Sequence, residues 1–105
     1  MSYYLYIVEC SDGSLYTGWT TNLTKRLEAH NSGKGSKYTR SRRPVNLVFS
    51  AEYPTKSDVS KMEYRVKQLT RKQKIELIYA KNKEKKLNEL LANKSQSFKK
   101  ITHSC

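Results

Sequence analysis

The side chains best suited to chemistry in this 105-residue chain gather in its first two thirds. Tyr6 and Tyr16 stand ten residues apart on either side of Asp12-Gly13. Two phenols so spaced serve one site only if the intervening turn leaves them on one face. Arg26 and His30 are four apart, so on a helix they project together and can converge on one point. Lys34, Lys37, Arg40, Arg42 and Arg43 crowd into one short stretch with Tyr38 among them. Such a cluster suits a phosphate polyanion: the cations contact phosphates with salt-sensitive affinity, and the aromatic can stack on a base. Glu63 follows further along, with Lys67 one helical turn away as its plain partner. Taken singly, each residue has an ordinary reading as a core aromatic, a surface charge or a packed histidine.

The elements that must position them are legible from pattern. Residues 2–10 and 14–20 are rich in Tyr, Leu, Ile, Val and Thr, and Ser11-Asp12-Gly13-Ser14 between them signals a hairpin. A two-residue turn pairs Tyr6 with Trp19 and separates the two tyrosines. A three-residue turn with Gly13 left-handed pairs Cys10 with Ser14, Val8 with Tyr16 and Tyr6 with Gly18, and brings both onto one face. Sequence leaves that choice open. Asn22 or Thr21 caps a helix to about Asn31, buried through Leu23 and Leu27. Residues 33–44 read as a basic loop ending at Pro44, and Val45, Leu47, Phe49 and Ala51 alternate as a third strand. From Lys56 to about Leu69, Val59, Met62, Val66 and Leu69 keep helical spacing, with Glu63 beside that stripe. Ile75, Leu77 and Ile78, then Leu87, Leu90 and Leu91, point to a third helix and a fourth, followed by a loose polar tail from about Asn93. The division expected is a domain over 1–80 and a basic helical extension with tail over 81–105.

Composition narrows the function class. The 21 Lys and Arg against 9 Asp and Glu give a net charge of +12, yet residues 1–24 contain neither Lys nor Arg. Most positive charge follows the hairpin, as a polyanion-binding surface requires. No run approaches the roughly 18 apolar residues of a membrane span, and the N-terminus lacks the pattern of a secretory signal, so a cytoplasmic protein without membrane association is expected. Cys10 and Cys105 offer no disulfide framework, and His103 with Cys105 lacks zinc-ligand spacing. Gly33-Lys34-Gly35-Ser36 lacks the spacing of a phosphate-binding P-loop and reads as a flexible basic clamp.

The order Tyr4-Leu5-Tyr6, then Tyr16-Thr17-Gly18, then Asn22 through Leu27 with His30, and finally Glu63, resembles the GIY-YIG nuclease domain over roughly residues 2–80. The stretch HNSGKGSKYTRSRRPVNLV resembles its small stand-alone group, related to the N-terminal domain of the excision-repair incision subunit UvrC. The resemblance implies an α+β fold with a three-stranded antiparallel sheet flanked by helices. It also implies a metal-dependent endonuclease hydrolysing nucleic-acid phosphodiesters, with DNA the expected partner and a monomer the expected state. The alternative is a basic binding module that keeps the fold without catalysis.

By the same resemblance, Tyr6, Tyr16, Arg26, His30 and Glu63 are the catalytic set. Glu63 would hold one Mg2+ or Mn2+ through hard oxygen ligation, and Arg26 would meet the phosphate bidentately. Tyr6 is the expected general base, its phenolate open to stabilisation by neighbouring cations or a metal-bound water. Tyr16 would orient water or substrate and His30 would assist proton transfer. Lys34, Lys37, Tyr38, Arg40, Arg42 and Arg43 would contact nucleic acid. The chain departs from the family pattern at Tyr4-Leu5, at Thr17, and at Trp19, where the repair enzyme carries a lysine. Ile75 falls where some members have an asparagine.

Overall fold

Gly13 decides the hairpin. Its φ of 82° lies in the left-handed region that glycine enters without a Cβ penalty. Its N–H donates to the Cys10 carbonyl at 2.9 Å, while the Cys10 N–H donates to the Ser14 carbonyl at 2.8 Å. The Asp12 carboxylate braces the turn by accepting from the Ser14 N–H at 3.0 Å and the Ser14 hydroxyl at 2.6 Å. This is the three-residue turn. Strands β1 (Tyr3–Glu9) and β2 (Leu15–Thr20) therefore pair with Tyr6 opposite Gly18 and Val8 opposite Tyr16. Side chains alternate across a strand, so Tyr6, Val8 and Tyr16 share one face and Leu5 and Ile7 the other.

The structure, a computed structural model, describes residues 1–92. Strand β3 (Asn46–Tyr53) joins the free edge of β1, giving an antiparallel sheet in the order β2-β1-β3. The central strand is the core of the fold: Leu5 and Ile7 are fully buried and Val8 nearly so. Helix α1 (Leu23–Asn31) begins at Asn22, whose Oδ1 accepts from the Lys25 N–H at 3.0 Å. Leu23 and Leu27 pack on Tyr6, Val8, Cys10 and Val45. The far end of α1 is tied to the residue just before β3 by one side chain. Asn31 donates to the Val45 carbonyl at 3.1 Å and accepts from the Val45 N–H at 2.7 Å.

The basic stretch over 33–44 is not all loop. It contains a single helical turn, α2 (Lys37–Arg40), capped by Ser36, whose Oγ accepts from the Thr39 N–H at 3.2 Å. One turn is too short to show an apolar period, so charge alone was readable there. Helix α3 (Lys56–Lys67) packs against all three strands, buries Val59 and Val66, and stops two residues before the expected end.

The chain divides into two compact units, Met1–Lys67 and Gln68–Cys105. Within the second, α4 (Arg71–Tyr79) opens with a capping box between Thr70 and Gln73, and a further helix, α5, covers 83–92. The polar tail from 93, including His103 and Cys105, lies outside the described residues. No helix among the described residues is long and apolar enough to cross a membrane.

Candidate active site

All five residues expected to be catalytic lie in the first unit, and the hairpin register brings three of them into contact. Tyr6 is 3% exposed, and its Oη is 2.9 Å from His30 Nε2. The phenol has room only because residue 18 is glycine. A Cβ there would lie 2.6 Å from Tyr6 Oη. His30, on the last turn of α1, is 1% exposed. Its ring meets the Tyr6 and Tyr16 rings edge-on, with centroids 5.8 and 5.5 Å away. On its other side, Nδ1 lies 2.8 Å from Thr39 Oγ1. The Gly35 backbone lies so close to the imidazole that a side chain at 35 would collide with it. The turn around α2 thus wraps the histidine against the sheet.

Electrostatics set the protonation of the pair. Burial, the Tyr16 phenol and the Glu63 carboxylate push the Tyr6 pKa up to about 12, with the Arg26 guanidinium opposing them. Tyr6 is therefore a neutral phenol at physiological pH. Among the protein's own groups, the one guanidinium is outweighed by burial and two acidic neighbours. Burial, then Arg26, lowers the His30 pKa, so the imidazole is neutral and has a lone pair to offer. Arg26 lines a narrow crevice with Tyr6 and His30. Glu63, with a half-buried side chain, has Lys67 Nζ at 3.8 Å.

The basic stretch is more tightly built than a loose clamp. Tyr38 stacks on Tyr16 with centroids 5.8 Å apart, and the Arg42 guanidinium lies 4.1 Å from the Tyr38 ring centroid. Arg42 also donates to the Tyr38 carbonyl at 2.7 Å and to Asp12 at 3.2 Å, linking this stretch to the hairpin turn. Arg43 donates to the Arg40 carbonyl at 2.9 Å. Lys34, Lys37 and Arg40 are exposed on the surface.

Sheet order, a buried tyrosine facing glycine across the hairpin, an arginine and histidine on the first helix and a glutamate on the next long one match one pattern, and residues 2–76 match the GIY-YIG catalytic domain family. The chain belongs to that family. It is 51% identical over 90 residues to a UPF0213 protein of Clostridium perfringens, covering 81% of this chain and 97% of that one. It is 53% identical over 77 residues to a UPF0213 protein of Staphylococcus aureus, covering 73% and 94%. The solution NMR structure of the UPF0213 protein BH0048 from Bacillus halodurans is similar at a TM-score of 0.51 and 44% identity, over 84% of this chain and 94% of that one. The protein EF2693 from E. faecalis is similar at a TM-score of 0.51 and 46% identity, over 70% and 79%. These relatives fit the small stand-alone group of GIY-YIG proteins.

Within this GIY-YIG domain two site residues escaped sequence reading. Thr39 and Gly35 sit in a stretch whose charges drew all the attention, and neither has a local signal for contact with a histidine several residues away. Trp19, which stands in place of the repair enzyme's lysine, lies opposite Leu5 and so on the other face of the sheet, with Lys56 Nζ 5.8 Å over its ring.

Proposed function

We propose that this chain is a metal-dependent endonuclease that hydrolyses nucleic-acid phosphodiesters, with branched or damaged DNA as its substrate class and a cytoplasmic monomer as its working form. The observation that carries the proposal is the buried 2.9 Å contact between Tyr6 Oη and neutral His30 Nε2, beside Arg26 and Glu63. A phenol with a pKa of about 12 is a poor base by itself, yet it can accept a proton while giving one up. Tyr6 Oη takes the proton of the attacking water as its own proton passes to His30 Nε2. The water oxygen bonds to phosphorus as one ester P–O bond breaks, and the departing alkoxide oxygen takes a proton from solvent. Arg26 balances charge growing on the phosphoryl oxygens, and Tyr16 limits the position of the imidazole through its ring edge.

The donor chemistry fits a hard divalent ion. No group of three or more His, Cys, Asp or Glu able to hold a metal occurs among the described residues. A single carboxylate suits Mg2+ or Mn2+, which keep several waters and share ligation with substrate phosphates. Glu63 would hold that ion, and the ion would neutralise phosphate charge. The exposed Lys34, Lys37 and Arg40, with Arg42 and Arg43, would supply the phosphate contacts that hold the strand.

A second reading, a binding module without catalysis, draws on the Lys67 ammonium 3.8 Å from Glu63, a cation that competes with a metal. The two separate cleanly. Purified protein is incubated with single-stranded, duplex, flap and four-way DNA and with RNA, with and without Mg2+ or Mn2+, alongside Glu63→Ala. Cleavage that needs both the ion and Glu63 supports the nuclease. Salt-sensitive binding indifferent to both, with no cleavage at micromolar protein, supports the module.

A further inference from the structure

The Tyr6 hydroxyl can donate to His30, 2.9 Å away, only if the imidazole presents Nε2 without a hydrogen, and a free imidazole in water prefers the opposite tautomer. The buried phenol fixes the direction of this bond. Tyr6 is 3% exposed, His30 Nε2 is the hydrogen-bond partner of its hydroxyl, and buried hydroxyls donate to an available acceptor. Nε2 therefore accepts and the ring hydrogen resides on Nδ1, 2.8 Å from Thr39 Oγ1.

Thr39 is built to receive it. The residue is fully buried, its hydroxyl can donate to the Ser36 carbonyl at 3.4 Å, and Ser36 Oγ lies 3.1 Å from it. Its own N–H is held by the Ser36 cap, so backbone and hydroxyl are placed by the same turn. Gly35 lets that turn approach the ring. We propose that Thr39 is a positioning residue whose hydroxyl accepts the Nδ1–H of His30 and keeps Nε2 bare toward Tyr6. Its importance for catalysis rests on the nuclease reading above, whereas the tautomer can be measured with no substrate at all.

The test is long-range 1H–15N NMR of the imidazole, which distinguishes a protonated ring nitrogen from a bare one. The chain has two histidines, so His103→Gln leaves His30 as the one signal. In that background the spectrum is expected to show Nδ1–H and a bare Nε2. Thr39→Ser keeps this pattern, and Thr39→Val moves His30 to Nε2–H or to an average of both. Thr39→Ala serves in the same way if valine disturbs the backbone amide spectrum. Nε2–H with Thr39 intact overturns the proposal without any variant, as does pure Nδ1–H retained in a folded variant lacking the hydroxyl. On a cleaved substrate, Thr39→Val lowers kcat by roughly ten- to a hundredfold, the scale seen for outer partners that orient an imidazole, at unchanged KM, and Thr39→Ser restores it. Absence of cleavage by the parent protein counts against the nuclease reading alone, and the NMR pattern then judges Thr39 separately.

Discussion

Gly18→Ala probes the packing that holds Tyr6 against His30. The added methyl would stand 2.6 Å from Tyr6 Oη and 2.8 Å from its Cζ, both far inside van der Waals contact. The ring cannot give way freely, because its far end is held 2.9 Å from His30 Nε2 and its flank is packed by Leu23 and Leu27. Overpacking a core costs about 1–3 kcal/mol, and a buried acceptor left without its donor costs about 1–3 kcal/mol. The two penalties overlap, since one displacement causes both, so we expect a loss of about 2–4 kcal/mol. For a domain of this size that lowers Tm by roughly 10–25 °C. Urea unfolding followed by circular dichroism measures it directly. Tyr6→Phe removes the atom nearest the new methyl, so in a double-mutant cycle part of the loss returns, with a coupling of about 1 kcal/mol or more. A Gly18→Ala protein within about 0.5 kcal/mol of the parent, or a cycle with no coupling, would refute the packing argument.

Three further outcomes follow from the same geometry. In an ultraviolet pH titration, one phenol stays un-ionised until about pH 12 and is missing from Tyr6→Phe. The folded pKa exceeds the unfolded value, so the stability Tyr6 contributes is fully present below about pH 10 and is lost as pH rises through the folded pKa. Replacing Arg26 with Met removes a cation that depresses the His30 pKa, so an NMR titration should show that pKa rising, though still held down by burial. Asn31→Ala breaks both hydrogen bonds to Val45 and is expected to cost about 2–3 kcal/mol in urea unfolding, with Asn31→Asp losing the donated bond alone.

Much of this architecture is written locally. The Asp12-Gly13 turn, the Asn22 cap, the alternation from Val45 and the spacing of Val59, Met62 and Val66 all follow from near neighbours in the chain, and the strands and main helices were legible for that reason. Tyr6, Tyr16, Arg26, His30 and Glu63 were singled out by their order, which resembles a family pattern, and the fold brings Tyr6, Tyr16 and His30 into contact. Three features were not legible, each for its own reason. Whether the tyrosines share a face hung on one left-handed glycine. The α2 turn was hidden in a run of charges too short to show a period. The protonation of Tyr6 is a property of its burial between sheet and helix: sequence displays the cations but not the depth at which the phenol sits, and burial outweighs Arg26. Thr39 belongs with these, since nothing near it in sequence announces a histidine partner.

The account rests on Tyr6 accepting a proton while bonded to His30, and the direct test is the single-turnover rate of DNA cleavage by Tyr6→Phe beside the parent in Mg2+. Phenylalanine keeps the ring and its packing and removes the oxygen through which the proton passes. The account predicts a fall of about 10²–10⁴-fold with DNA binding unchanged. Cleavage by Tyr6→Phe at the parent rate would contradict it.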